Sequence, residues 1–171
     1  MKISDIDNLK EKIRVAVELA IESISIKFPK EEICAFALYS DSDARTLAAS
    51  FNLKAHLNSL QAEDPGDKVY YKWSPAEWSH ESYEVHLFDD ISSKLAKLSD
   101  TLGEGENFEQ YRKTIFESCV CVLEAFKNRL GDSIFVFAVT DFSDVNLESS
   151  WIKILNSSDE SVEFEAWRTT E

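Results

Sequence analysis

Val69-Tyr-Tyr-Lys-Trp-Ser-Pro-Ala-Glu-Trp78, followed at once by Ser79, His80 and Glu81, is the run whose reading decides the fold. It holds two of the four tryptophans and two of the five tyrosines. In an extended chain Val69, Tyr71 and Trp73 share one face, and Tyr70 and Lys72 share the other. Pro75 lacks an N–H and biases Ser74 toward an extended conformation, so regular pairing ends there. The expectation is a strand that runs into a Pro-containing corner, with helices and further strands assembled around it.

Upstream, residues 4–27 read as a helix. Leu9, Ile13, Ala16, Val17, Ala20, Ile21 and Ile24 follow the spacing of one buried stripe. Ser4 or Asp5 is placed to cap its start, and Pro29 bars its continuation. Ile33-Cys-Ala-Phe-Ala-Leu-Tyr39 is a continuous apolar run, the pattern of a strand covered on both faces. Ser40 to Asp43 is turn chemistry, and Arg45 to Phe51 is an antiparallel return strand. Asn52 is placed to cap a short helix carrying Leu53, Leu57 and Leu60. A polar loop follows, with a Pro65-Gly66 turn.

Downstream, Leu87, Ile91, Leu95, Leu98 and Leu102 mark a second long helix, ended by Gly103 and Gly105. Asn107 with Gln110 resembles a capping box for a third helix, which Gly131 closes. Ile134-Phe-Val-Phe-Ala-Val139 is the strongest strand and is expected at the centre of the sheet. A helix near 147–156 buries Leu147, Trp151, Ile154 and Leu155. Val162-Glu-Phe-Glu-Ala166 alternates apolar and acidic residues, the pattern of a half-buried edge strand. The expected fold class is α+β, one domain over residues 1–171, with a mixed, mainly antiparallel sheet and helices packed on it.

The net charge of −14 is unevenly placed. Residues 61–90 carry eight acids against two bases, residues 141–171 do the same, and the two segments supply −12 of the total. Such a chain repels phosphate backbones, so nucleic acid is not an expected partner, nor is a membrane. No apolar run approaches the ~18–20 residues that cross a bilayer, and the acidic N-terminus lacks a signal-peptide pattern. Three cysteines in apolar surroundings suit reduced thiols in a cytoplasmic location.

At Ala35-Phe-Ala-Leu-Tyr-Ser-Asp41 and Tyr70-Tyr-Lys-Trp-Ser-Pro-Ala-Glu-Trp78 the chain resembles a bacterial family of about this length whose function is not settled. The resemblance implies a cytosolic α+β domain. It also implies a link to the small accessory or immunity-type proteins that accompany bacterial toxin systems. It supplies no catalytic residues.

Motifs for known chemistry are missing. None of the four glycines follows a strand as part of a dinucleotide or P-loop signature, and there is no nucleophile-elbow sequence, so no cofactor is expected. Cys119 and Cys121 lie on one helix and point about 200° apart, which rules out joint chelation. Two specific functions remain open, beside a blander third, a regulatory or scaffold domain with a small ligand. One is a protein-binding domain, in its concrete form an immunity-type inhibitor of a basic toxin or effector. Asp41, Asp43, Trp73, Glu77, Trp78 and Glu81 form its expected surface, an aromatic anchor with an acidic rim. The other is a metal-dependent or acid/base enzyme using Glu77, His80 and Glu81. For the corner aromatics, burial of Trp73 and Trp78 beneath the N-terminal helix competes with exposure beside the two glutamates.

Overall fold

The computed structural model describes residues 3–103 and 105–170, with the side chains of 3–7 and 31 left aside. The cap expected at Ser4 or Asp5 therefore lies outside the described side chains. Helix α1 (Ile3–Lys27) buries the expected stripe: Ile13, Val17, Ala20 and Ile24 have no exposed surface. Full burial of each large aliphatic side chain contributes ~1.5–3 kcal/mol.

Strand β1 (Ile33–Asp41) lies between two partners. On one side β2 (Ala48–Leu53) returns antiparallel, setting Phe36 opposite Phe51 and Ala37 opposite Ser50. A short β3 (His80–Tyr83) adds antiparallel to β2. On the other side β4 (Ile134–Thr140) runs parallel to β1 over seven registered pairs, from Ala35↔Ile134 to Asp41↔Thr140. The order is β3-β2-β1-β4. The domain is α+β, but helices outweigh strands and the longest ladder is parallel. The expectation of a mainly antiparallel sheet is therefore corrected to a mixed one.

The two faces of the sheet are covered differently. Phe36, Leu38, Phe51, Phe135 and Phe137 point to a deep layer made by α1, α4 (Asp89–Leu102) and α5 (Glu106–Phe126). The buried apolar residues that the sheet offers on the opposite face are Ala35, Ala37, Ile134 and Val136, and the small alanines leave room for Trp73 and Trp78. Those indoles thus pack away from α1, not under it. This face is closed by α3 (Lys68–Trp73), α6 (Val145–Leu155) and α7 (Ser158–Arg168).

Two stretches expected as strands are helices. Residues 68–73 form α3, closed by Tyr71 N–H to Asp67 O (3.1 Å) and Ser74 N–H to Tyr70 O (3.0 Å). Val, Tyr and Trp favour strands only weakly when a helix can bury one ring better, and here it buries Trp73. Residues 162–166 belong to α7, whose buried positions Ser161 and Phe164 are three apart while Val162 is 66% exposed.

Strand β4 is an edge, not the centre. Its apolar run is explained by helices on both faces, and α6 runs along the open side. Trp151 of α6 reaches the α1 layer while Ile152, its neighbour, reaches the opposite one. Covering an edge with a helix blocks pairing with other chains. Two caps also differ. Asn52 lies inside β2, fully buried, ahead of α2 (Lys54–Glu63), and α5 starts after Gly105 (φ 125°) with no side-chain cap.

Candidate functional site

A cleft of about 250 Å³ opens on the α7 face, at the end where β1 and β4 finish. Helix α3 brings Tyr70 and Trp73, three residues apart, to its wall, and the 3-10 turn Pro75–Glu77 continues it through Pro75 and Ala76. Tyr39 of β1 and Glu81 of β3 stand beside them. Helix α6 contributes Glu148 and Ile152, and α7 contributes Phe164, Trp167 and Arg168. Val136, Ala138 and Thr140 form the floor.

Phe137 and Val139 also line this cleft although their side chains belong to the α1 layer, so their backbone forms part of its wall. Asn156 explains why. Its Oδ1 accepts from Phe135 N–H (2.8 Å) and its Nδ2 donates to Phe135 O (2.7 Å), as a neighbouring strand residue would. The backbone groups of residue 135 therefore face away from β1, and by the period of two those of 137 and 139 do as well.

Rings and charges are organised around this opening. The Tyr70 hydroxyl donates to Glu77 Oε1 (2.8 Å), and the Tyr39 and Ser82 hydroxyls lie 2.6 Å apart. Arg168 reaches Glu148 Oε2 with both Nε (3.2 Å) and Nη2 (2.8 Å), and its guanidinium lies 5.6 Å from the Trp167 ring centroid. The paired side chains are only 18% and 13% exposed. Lys72 pairs with Glu163 (2.7 Å), and Lys153 with Glu165. Residues 61–90 supply α3 and the corner, and residues 141–171 supply α6 and α7. The two acidic segments, far apart in sequence, thus meet at one aromatic cleft.

Among the described residues, the buried side-chain atoms without a hydrogen-bond partner lie on this face: Ser50 Oγ, Asn52 Nδ2, Trp73 Nε1 and Trp78 Nε1. Ser50 and Asn52 stand opposite Ala37 and Ala35, so they point to the face on which the indoles pack. Asn52 uses its Oδ1 to accept from Leu53 and Ser79 N–H (3.0 and 3.1 Å). A buried polar atom left without a partner costs stability.

The residues expected to form the site are dispersed. Trp73 and Glu81 line the cleft, and Glu77 stands beside it on Tyr70. Trp78 is buried beneath the corner, 4% exposed. Asp41 closes a turn, accepting from the Asp43 and Arg45 N–H groups (both 3.0 Å) and the Thr46 hydroxyl (2.5 Å); Asp43 is exposed in that turn. The structure does not bring Glu77, His80 and Glu81 together. His80 stands at the register of Phe51 and stacks on its ring (4.1 Å, 15°), whereas Glu81, the next residue, points to the cleft. Burial, and secondarily the charge of His56, push the His80 pKa down. Among the described residues no three His, Cys, Asp or Glu side chains are placed to hold one metal ion.

Tyr39, Tyr70, Glu148, Trp167 and Arg168 were not singled out by the sequence. The available signal was Ser157-Ser-Asp-Glu160, an S-x-x-E pattern that forms a full capping box in the structure. Read as a helix start, it places Phe164 and Trp167 on one side of α7. The thiols are set apart from the cleft chemistry: burial pushes the Cys34 pKa up to about 11, while Cys119 is buried and Cys121 exposed on the same helix.

Comparison with known proteins covers nearly all of this framework. Residues 9–157 match a domain of unknown function, DUF4303. The chain belongs to the DUF4303 family. The match takes in the sheet, α3, the corner and α6, and it stops immediately before α7. No curated protein and no solved structure matches the chain. No helix among the described residues of this DUF4303 chain is long and apolar enough to cross a membrane.

Proposed function

We propose that the chain is a small acidic protein-binding domain, and that the cleft is where it takes a basic protein partner, through a cationic side chain entering between the rings. The observation that carries this reading is the convergence of the two acidic segments on a cleft walled by Tyr39, Tyr70, Trp73 and Trp167. A cation over an aromatic face gains ~0.5–1 kcal/mol at an exposed site and ~2 kcal/mol when desolvated. Acidic rims add speed of encounter and suppress anionic competitors. An immunity-type inhibitor that masks a basic toxin or effector in the cytoplasm is the concrete form of this reading.

The experiment is calorimetric titration with short capped glycine peptides carrying one central arginine, lysine or glutamine. The cationic peptides are expected to bind and to weaken with added salt, because the rim charges are exposed. Trp167→Ala is expected to weaken them about tenfold, the equivalent of ~1.4 kcal/mol. Equal binding of the glutamine peptide, or no binding by either cationic one, overturns the proposal.

A further inference from the structure

The cleft already contains a cation supplied by the chain itself. Arg168 sits on α7, beyond the segment that matches the family, while Glu148, its partner, sits on α6 within that segment. Glu148 is 13% exposed in an aromatic setting, and a carboxylate so placed calls for a cation close by.

The way α7 is held matters as much as what it carries. Its apolar attachment rests on Phe164, packed edge-on against Trp73 at 5.2 Å, and on the half-buried Trp167 beside Tyr70. It is also tied by the ion pairs Lys72–Glu163 and Lys153–Glu165, which are partly open to water, and by the mostly buried pair Arg168–Glu148. The two open pairs contribute ~0.2–1 kcal/mol each, whereas the buried one must keep a cation on Glu148. Helix α6, by contrast, buries Trp151, Ile152 and Leu155. Helix α7 thus buries fewer apolar side chains than α6, and an incoming cation that takes the place of Arg168 keeps Glu148 paired, because one charge-assisted contact replaces another.

The geometry also selects among cations. Arg168 approaches Glu148 side-on, with Nε and Nη2 both donating to Oε2, and its guanidinium carbon lies 5.6 Å from the Trp167 ring centroid. An ammonium group has no such fork and meets the carboxylate as a point charge. We infer that Arg168 is a built-in stand-in for a partner's arginine: the cleft is a guanidinium site, and binding displaces Arg168 and loosens the last turn of α7. This inference rests on the proposed function, and its test separates the two.

The test uses the full chain and the arginine and lysine peptides named above. Arg168→Ala is expected to bind the arginine peptide about tenfold more tightly than the wild type, since it removes the competitor. The lysine peptide should gain less, and Glu148→Gln combined with Arg168→Ala should abolish the gain. Because Arg168→Ala can also disturb α7, a second measurement is made on the wild type. Saturating arginine peptide should speed hydrogen exchange in the last turn of α7, where Thr169 N–H bonds Glu165 O (3.1 Å). Cationic peptides that bind the wild type, with no gain in Arg168→Ala and unchanged or slower exchange in that turn, overturn the stand-in and leave the binding reading standing. No binding to either protein overturns both.

Discussion

Replacing Asn156 by alanine tests how the framework around the cleft is held. The Asn156 side chain joins the end of α6 to the open edge of β4, satisfying both backbone groups of Phe135 at 2.7 and 2.8 Å. Phe135 has no exposed surface, so water cannot replace those bonds without a local opening. A buried polar group left unpaired costs ~1–3 kcal/mol, and two are created here. Allowing for relaxation, the expected loss is ~3 kcal/mol, a large share of the ~5–15 kcal/mol that separates folded from unfolded domains. The assay is urea unfolding followed by tryptophan fluorescence, with an unchanged slope and a lower midpoint. Asn156→Asp gives a second reading. Its carboxylate keeps the bond from Phe135 N–H but opposes the carbonyls of Phe135 and Ile152, so the folded state favours the protonated form and raises the pKa. Its stability should match wild type more closely at acid pH and be lost as pH rises through that raised value. A loss below ~0.5 kcal/mol in Asn156→Ala refutes the sealing of the β4 edge by this side chain.

Trp73→Phe is expected to stay within ~1 kcal/mol of wild type although Trp73 is 2% exposed, because the lost contact area is offset by removal of an unpaired N–H; a loss above ~2 kcal/mol in urea unfolding contradicts this. Tyr111→Phe should cost ~1–2 kcal/mol in the same assay, since the Tyr111 hydroxyl bonds the carbonyls of Ala44 (2.9 Å) and Leu95 (3.0 Å). Burial, and secondarily the charge of His56, lowers the His80 pKa, so its proton titration by NMR should fall below the ordinary ~6.5. The sign follows: the unfolded chain takes up the proton first, and His80 lowers stability as pH drops from ~6.5 to its folded value, an effect absent in His80→Phe. Iodoacetamide followed by mass spectrometry should modify Cys121 first, Cys34 slowly and Cys119 only on unfolding.

The sequence revealed elements whose pattern is long enough to separate a period of 3.6 from a period of 2. The stripe of α1 spans many turns, and the continuous apolar runs of β1 and β4 admit few other readings. Residues 69–73 and 162–166 are too short for that separation. Their β-formers and alternating glutamates favoured strands locally, while burial of Trp73 and Phe164 on the thin face of the sheet decided for helices. The position of β4 was hidden for another reason. An edge strand covered by α6 has the same apolar composition as a central one, so composition could not place it. The candidate site was legible in its charge and only partly in its residues. The two acidic segments were visible, but their meeting depends on α7 being a helix, and with it the wall formed by Trp167 and Arg168.

The central claim, a cationic side chain received in the aromatic cleft, is tested most directly by amide and indole chemical-shift mapping with the arginine peptide. The account predicts the largest shifts at the indole N–H groups of Trp73 and Trp167, with Tyr39, Tyr70 and Glu81 next and α1 unmoved. Shifts spread over the acidic surface without a maximum at the cleft, or centred on α1 and α4, would contradict it.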